Sequence, residues 1–338
     1  MNTRAMIPLT VALSFALVGC GTGNGNGNGG VTDGGGNGGN GNGNGSGGPQ
    51  SYSLTFGPIL VPAGTEATQC IVRRLGNPTP LHVGTVHNML GEASHHMVVY
   101  RVNDTDEQTT PFACQPFQDT VLGNGSPIVI SQKADDLLTM PPGVAYTLDA
   151  NQMIRIEMHY LNATQSDVML TSTTTLTETL DYTDEASFLL LGDMDISIPS
   201  NSDVTLGPVF LPLDPMFADA HFFAITGHEH RLGTDVQVAL ATGASDPGSM
   251  VYDVPNWIWS EPATVHPAPP FTVPSGGGFR FDCKWHNPNT DASAPPVVFG
   301  ESATDEMCFF WAYYYPSHGS HVCIHSEKNG TPSNSCLN

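Results

Sequence analysis

From residue 51 onward the chain consists of short apolar or alternating runs, among them SYSLTFGPILV, HHMVVYRV, QMIRIEMHYL, DVMLTSTTTLTETL, FLLLGDMDISI and DVQVALAT. Gly, Pro, Asn and Asp separate them. A period of two sends alternate side chains to one face, so runs of this length bounded by turn residues predict many short strands. No amphipathic pattern longer than two helical turns interrupts them, and the expected fold class is all-β. Residues 51–338 suffice for two domains of ordinary size. The best break is Tyr182-Thr183-Asp184-Glu185, between two strand runs, which predicts folded units over 51–182 and 183–338.

The same alternation places chemically active side chains. In FFAITGHEHRLG, residues 222–233, His228 and His230 point one way and Glu229 the other. In QMIRIEMHYL, Ile154, Ile156 and Met158 share a core face. Arg155, Glu157 and His159 share the opposite one, so His159 is expected to face solvent or a cleft. HHMVVYRV opens on the neighbours His95 and His96, which an ideal strand sends to opposite faces; both can bind one metal only at a twisted strand entry. Met307, in TDEMCFFWAYYYP, offers a thioether, a soft uncharged donor that favours Cu(I) over the hard ions that carboxylates prefer. Two imidazoles and a thioether suit copper and leave positions open for O2 or water. Taken singly, these motifs have ordinary meanings, a histidine pair on a strand surface and a methionine in a core. His318, His321 and His325 would share one face of a helix and form a third site. A flexible tail partly closed by a disulfide is expected there instead.

Composition adds the setting. The first twenty residues, MNTRAMIPLTVALSFALVGC, form an export signal with a basic start, an apolar stretch and small residues before a cysteine. Its ending resembles the bacterial lipobox, which implies lipidation of Cys20 and anchoring in the bacterial cell envelope, outside the cytoplasm, at the outer membrane or cell surface. Residues 21–50 are nearly all Gly and Asn and cannot bury enough apolar surface to fold. They are expected to form a disordered tether with a reach of about 30 Å. The net charge of −22 makes nucleic acid and anionic membrane surfaces poor partners. Beyond Cys20 there is an even number of cysteines in an exported chain, so disulfides are expected. No Cys/His cluster has zinc-finger spacing.

Together the motifs resemble the copper type II, ascorbate-dependent monooxygenases, the family of peptidylglycine alpha-hydroxylating monooxygenase and dopamine beta-monooxygenase. The resemblance rests, in order, on HHM at His95 to Met97, His159-Tyr160, the H-x-H at His228 and His230, and DEMC at Asp305 to Cys308. It implies two antiparallel β-sandwiches of jelly-roll type flanking a cleft. It further implies two copper ions per chain, an electron-transfer copper on His95, His96 and His159 and an oxygen-activating copper on His228, His230 and Met307. The implied activity is hydroxylation of a C–H bond of a small organic substrate by O2, with ascorbate or another reductant as electron donor. The alternative is a copper-binding or electron-transfer envelope lipoprotein without oxygenase activity. Disulfides Cys70–Cys114 and Cys283–Cys308 are implied by their placement around the ligands, leaving Cys323 to pair with Cys336. Departures from the family cluster near the second copper. Glu229 replaces a Thr, Thr226 replaces the Arg that grips a peptide carboxylate, and Phe309 and Trp311 replace an Asn and a Tyr. Copper ligation is retained in this comparison and peptide recognition is not; Thr226, Phe309 and Trp311 become the candidates for contact with a different substrate.

Overall fold

The structure is a computed structural model that describes residues 48–117, 125–328 and 331–337. The signal sequence, Cys20 and nearly all of the Gly/Asn segment lie outside the described residues. Gly48–Asn338 form one compact unit. Among the described residues the only helix is a 3-10 turn over Pro215–Asp219; all other regular structure is strand, as the alternating runs predict.

Two sheets come from the first part of the chain. One has the strand order Ser51–Val61, Val168–Glu178, Leu81–Met89, Val144–Leu148, Asp184–Glu185, with Asp135–Thr139 also paired to Leu81–Met89. The other runs Gln108–Ala113, Glu66–Arg74, Met153–Leu161, Ser94–Val102, Gly125–Ser131. Apolar side chains of both meet in one core, including Phe56, Val83 and Leu176 from the first sheet and Ile71, Val98, Ile154 and Ile156 from the second. Asp184 and Glu185 still belong to this part: they pair in parallel with Val144 and Ala145, and the Glu185 carboxylate accepts from Arg101 at 2.6 Å. The chain leaves these sheets at Ala186.

The later strands form a sheet ordered His221–His228, Cys308–Tyr315, Ser187–Asp193, His321–Lys328, Thr331–Leu337. It faces a second sheet ordered Ser202–Pro212, Gly278–Asn287, Gly233–Ala241, Ser249–Asp253. The disulfide Cys283–Cys308 ties the two together. Cys70–Cys114 and Cys323–Cys336 are formed as well. The C-terminal segment is not the flexible tail expected from the sequence: it is a hairpin whose first strand runs parallel to Ser187–Asp193, with the disulfide pairing directly opposed residues. His321 and His325 are buried in it with separate partners, the His318 carbonyl at 2.9 Å and the Asn334 side chain at 2.7 Å, while His318 meets Asp219 at 2.6 Å. They do not converge on one point, so no third site forms there.

The run Cys308–Tyr315 explains how the halves join. Cys308, Phe310, Ala312 and Tyr314 point into the core of the second half. Met307, Phe309, Trp311 and Tyr313 point the other way, into the core of the first. Both faces of this strand are therefore dry, which is why its sequence is almost continuously apolar instead of alternating with polar residues. Gly192 on the neighbouring strand lets the Phe309 ring lie against it; a Cβ there would sit 2.2 Å from that ring. The backbone N–H of Ile130, on an edge strand of the first half, donates to the Tyr313 hydroxyl at 2.9 Å.

Candidate metal centre

His96 and His159 lie directly opposite one another on adjacent antiparallel strands, which puts their rings on one face. His95 would point away in a regular strand. The register slips between Ser94 and His96, and this bulge turns His95 toward the same spot, so its ring centre lies 5.1 Å from each of the other two. His159 does not face solvent or a cleft as its strand pattern suggests; it is 3% exposed. Alternation assigns it to the non-core face of its own half, and the other half covers that face. Glu66 makes the link, accepting from His159 Nε2 at 2.9 Å, the Ala303 N–H at 2.7 Å and the Ser302 hydroxyl at 3.0 Å. Burial works to raise the Glu66 carboxyl, but these hydrogen bonds prevail and hold it below its ordinary value.

His228 ends its strand and His230 follows after one residue, with ring centres 5.1 Å apart. Glu229 points to the opposite side as expected, where it is buried and accepts from the Lys284 N–H at 3.0 Å. His228 pairs with Phe309 across the strands. Side chains of a cross-strand pair share a face, and Met307 lies on the same side of its strand as Phe309, so the thioether belongs to the face that carries the His228 ring. Glu306 holds the H-x-H backbone in place. Its carboxylate accepts from the N–H groups of His230 at 2.9 Å and Leu232 at 2.7 Å, and from the Trp285 indole at 2.9 Å.

No cleft separates the two groups of histidines. The His95 ring is 5.8 Å from that of His228 and 5.6 Å from that of His230, and His96 is 5.8 Å from His228. The potential ligand atoms of His95, His96 and His159 lie within 4.8 Å of one another, and so do those of His95, His228 and His230. The sequence pattern assigns the rings to faces but carries no distance between the halves.

The tautomers can be deduced from the partners. The Gln132 side-chain amide donates to the Gly227 carbonyl at 3.1 Å, so its oxygen is the atom 2.5 Å from His228 Nδ1, and His228 must donate there. His230 Nδ1 faces the Asp305 carbonyl at 3.2 Å and likewise donates. Both rings therefore present a bare Nε2. Those two atoms, with His95 Nε2 and His96 Nδ1, are buried without a hydrogen-bond partner. Leaving such atoms unpaired costs about 1–3 kcal/mol each. Burial drives His95, His96 and His228 well below the usual imidazole range and His230 down to about 4, so the rings are neutral at neutral pH. Neutral imidazoles with inward lone pairs and no carboxylate among them fit copper or another nitrogen-preferring metal and do not fit calcium or magnesium.

The chemistry of this donor set agrees with comparison to known families. Residues 185–335 match the C-terminal domain of the copper type II ascorbate-dependent monooxygenases. The matched segment makes up a little under half of the chain. The matched segment contains His228, His230 and Met307, and the residues bearing the other three histidines precede it. No curated protein matches the chain. Among solved structures, one titled as the atomic structure of Sulfolobus Turreted Icosahedral Virus is 9% identical, covers 80% of this chain and 91% of its own, and has a TM-score of 0.33. PBCV-1 VP54, fitted into the virophage Sputnik, is 9% identical, with coverages of 86% and 97% and a TM-score of 0.24. Neither likeness bears on function.

Of the three candidates for substrate contact in the matched segment, Trp311 lies beside the centre, its ring 5.9 Å from His228. Phe309 packs on Phe299, and the Thr226 hydroxyl donates to the Ala263 carbonyl at 3.3 Å; both side chains are buried. Gln132, Glu66 and Trp259, whose ring is 5.5 Å from His95, carry no sequence signal of their roles. Glu306 could have been suspected only as part of the DEMC motif. Replacing Gln132 by Leu removes the acceptor that fixes the His228 tautomer. Copper affinity should then fall about 10- to 100-fold, the usual effect of losing a group that orients a ligand. Competition titration with a Cu(I) chelator measures this, and an unchanged affinity would show that Gln132 does not orient the ring.

Proposed function

We propose that the protein is a copper-dependent monooxygenase that inserts one atom of O2 into a C–H bond of a small organic substrate and reduces the other to water. Two electrons come from ascorbate or another donor. The observation that carries this reading is the group of buried, neutral imidazoles with unpartnered inward nitrogens, two of them inside the segment that matches this family's C-terminal domain. His95, His96 and His159 would hold the electron-transfer copper, and His228, His230 and Met307 the oxygen-activating one. When bound, copper would supply one-electron redox chemistry and O2 activation.

The chain's own residues have defined tasks. Gln132 and the Asp305 carbonyl keep protons on the outer nitrogens of His228 and His230 so that the inner ones remain bare. Glu66 does the same for His159 and fastens the Ser302–Ala303 loop over it. Trp311 and Trp259 shield the rings from water. Thr226 lacks the charge to grip a carboxylate, an interaction worth about 1.5–3 kcal/mol, and this favours a substrate other than a glycine-extended peptide, one with an apolar or aromatic part. Three disulfides accord with an oxidising, extracytoplasmic setting, and we place the protein on a lipid anchor at Cys20 in the bacterial cell envelope.

The test offers the copper-loaded, reduced protein glycine-extended peptides, phenylalkylamines and simple aromatic hydrocarbons while following O2 and product mass. Copper- and substrate-dependent O2 uptake, with a product one oxygen heavier from a non-peptide substrate, is expected. Electron exchange without O2 incorporation from any of them would favour the copper-binding or electron-transfer alternative.

A further inference from the structure

We propose that a recess beside the metal centre is the substrate's binding site and that it takes a small zwitterion, a molecule with an ammonium and a carboxylate at one end and a short apolar tail. This rests on the monooxygenase reading above and names its substrate class. The recess has a volume of about 260 Å³ and is walled by both halves, by Glu92, Ser94, Gln132 and Lys133 from the first and by Ser260 and Glu261 from the second. Three of these residues tie it to the centre. Ser94 precedes His95, Gln132 bonds the His228 ring, and Ser260 follows Trp259, which lies against His95.

The wall changes character with depth. Glu92 and Glu261 are exposed and Lys133 is half-buried, whereas Gln132 is buried. Among the described residues none of the three charged side chains has an ion-pair partner. The Asp136 carboxyl senses the Lys133 charge without bonding it. The polar groups of the floor, by contrast, are already used: Gln132 donates to the Gly227 carbonyl and accepts from His228, and the Ser94 hydroxyl meets that of Ser172 at 3.2 Å. The mouth therefore offers charge to a ligand and the floor offers none.

Two carboxylates and one ammonium match a ligand that carries both signs, its ammonium taken by a glutamate and its carboxylate by Lys133. A simple anion would meet two like charges for one opposite, and a hydrocarbon would leave all three unused. In a chain with 10 Lys and Arg against 32 Asp and Glu, an unpaired ammonium beside the centre is a scarce group. Leu90, on the same wall, gives the tail an apolar contact. The volume lies below the roughly 300–1,000 Å³ of sites for drug-sized ligands, so a single amino acid suits it better than a peptide. Lys133 also belongs to the half opposite Thr226, so this hold on a carboxylate is separate from the grip that Thr226 cannot make.

Isothermal titration calorimetry of the Cu(I)-loaded full chain without O2, using leucine, leucine methyl ester and N-acetylleucine, is the test. Leucine should bind at least about tenfold more tightly than the ester, which lacks the carboxylate, or the acetyl compound, which lacks the ammonium. Lys133→Ala should weaken leucine by about tenfold or more and leave the ester unchanged; Glu92→Gln combined with Glu261→Gln should weaken leucine alike and leave N-acetylleucine no worse. Copper affinity and circular dichroism should stay as in the wild type. No binding of leucine, equal binding of the three compounds, or variants that bind leucine like the wild type would overturn the proposal. Hydroxylation of a hydrocarbon untouched by these variants would refute this substrate site and leave the monooxygenase reading standing. Leucine bound as expected but never oxygenated would refute that reading and leave the zwitterion site.

Discussion

Glu306→Leu is expected to destabilise the protein by several kcal/mol and to abolish metal binding by the H-x-H pair. The substitution leaves three buried donors without an acceptor, the N–H groups of His230 and Leu232 and the Trp285 indole. At about 1–3 kcal/mol apiece, partly offset by removing a carboxyl that is itself costly to bury, the net loss is a large share of the 5–15 kcal/mol that holds a typical domain together. Metal binding suffers because His230 hangs directly on one of these bonds. Burial pushes the Glu306 carboxyl up to about 7 from 4.5, and its hydrogen bonds only partly oppose this. A raised carboxyl means that the folded state binds more protons than the unfolded one. Its contribution to stability is therefore greatest below about 4.5 and declines as pH rises through about 7. Thermal unfolding from pH 4.5 to 8 should show the stability advantage of wild type over Glu306→Leu and Glu306→Gln shrinking across this window; the buried histidines, whose lowered values favour the folded state as pH rises, act alike in all three proteins and cancel in the difference. Glu306→Gln, which keeps one acceptor oxygen, should be intermediate in stability. A Leu variant as stable as wild type and still binding copper at His228 and His230 would rule out the anchoring role.

Much of the fold could be read from the alternation of the runs, because a strand half in water and half in a core has to alternate. The run from Cys308 to Tyr315 shows where this fails. It is buried on both faces, so its pattern is uniform, and only the packing reveals which side chains face which half. His159 shows a second limit. Its position opposite Ile156 and Met158 correctly removes it from its own core, but periodicity cannot say what covers the other face. For His95 and His96 strict alternation predicts divergence, and a one-residue slip in register reverses it. The H-x-H pair was legible because alternation and geometry coincide there. The meeting of the two halves was not, since it depends on contacts between residues far apart in sequence, such as Gln132 with His228 and Glu66 with Ala303. Gln132 and Glu66 belong to ordinary strand-like stretches with no motif of their own.

Met307→Ile should have the largest effect on the chemistry with the smallest effect on the fold. Met307 is buried within the first half's core, and an apolar side chain of similar volume keeps that packing at a cost usually below about 1.5 kcal/mol. What disappears is the soft sulfur on the face that carries His228 and His230. Cu(I) affinity of that set should drop by at least about tenfold, the lower end of what losing even an outer partner of a ligand costs. Oxygenation should cease while copper on His95, His96 and His159 remains. The most direct measurement is X-ray absorption at the copper edge of the Cu(I)-loaded protein and of this variant. Imidazole scattering with an added sulfur contribution in the wild type, lost in Met307→Ile while the imidazole scattering persists, is the predicted result. Spectra without sulfur in either protein, or identical in both, would contradict a copper centre built from these histidines and Met307.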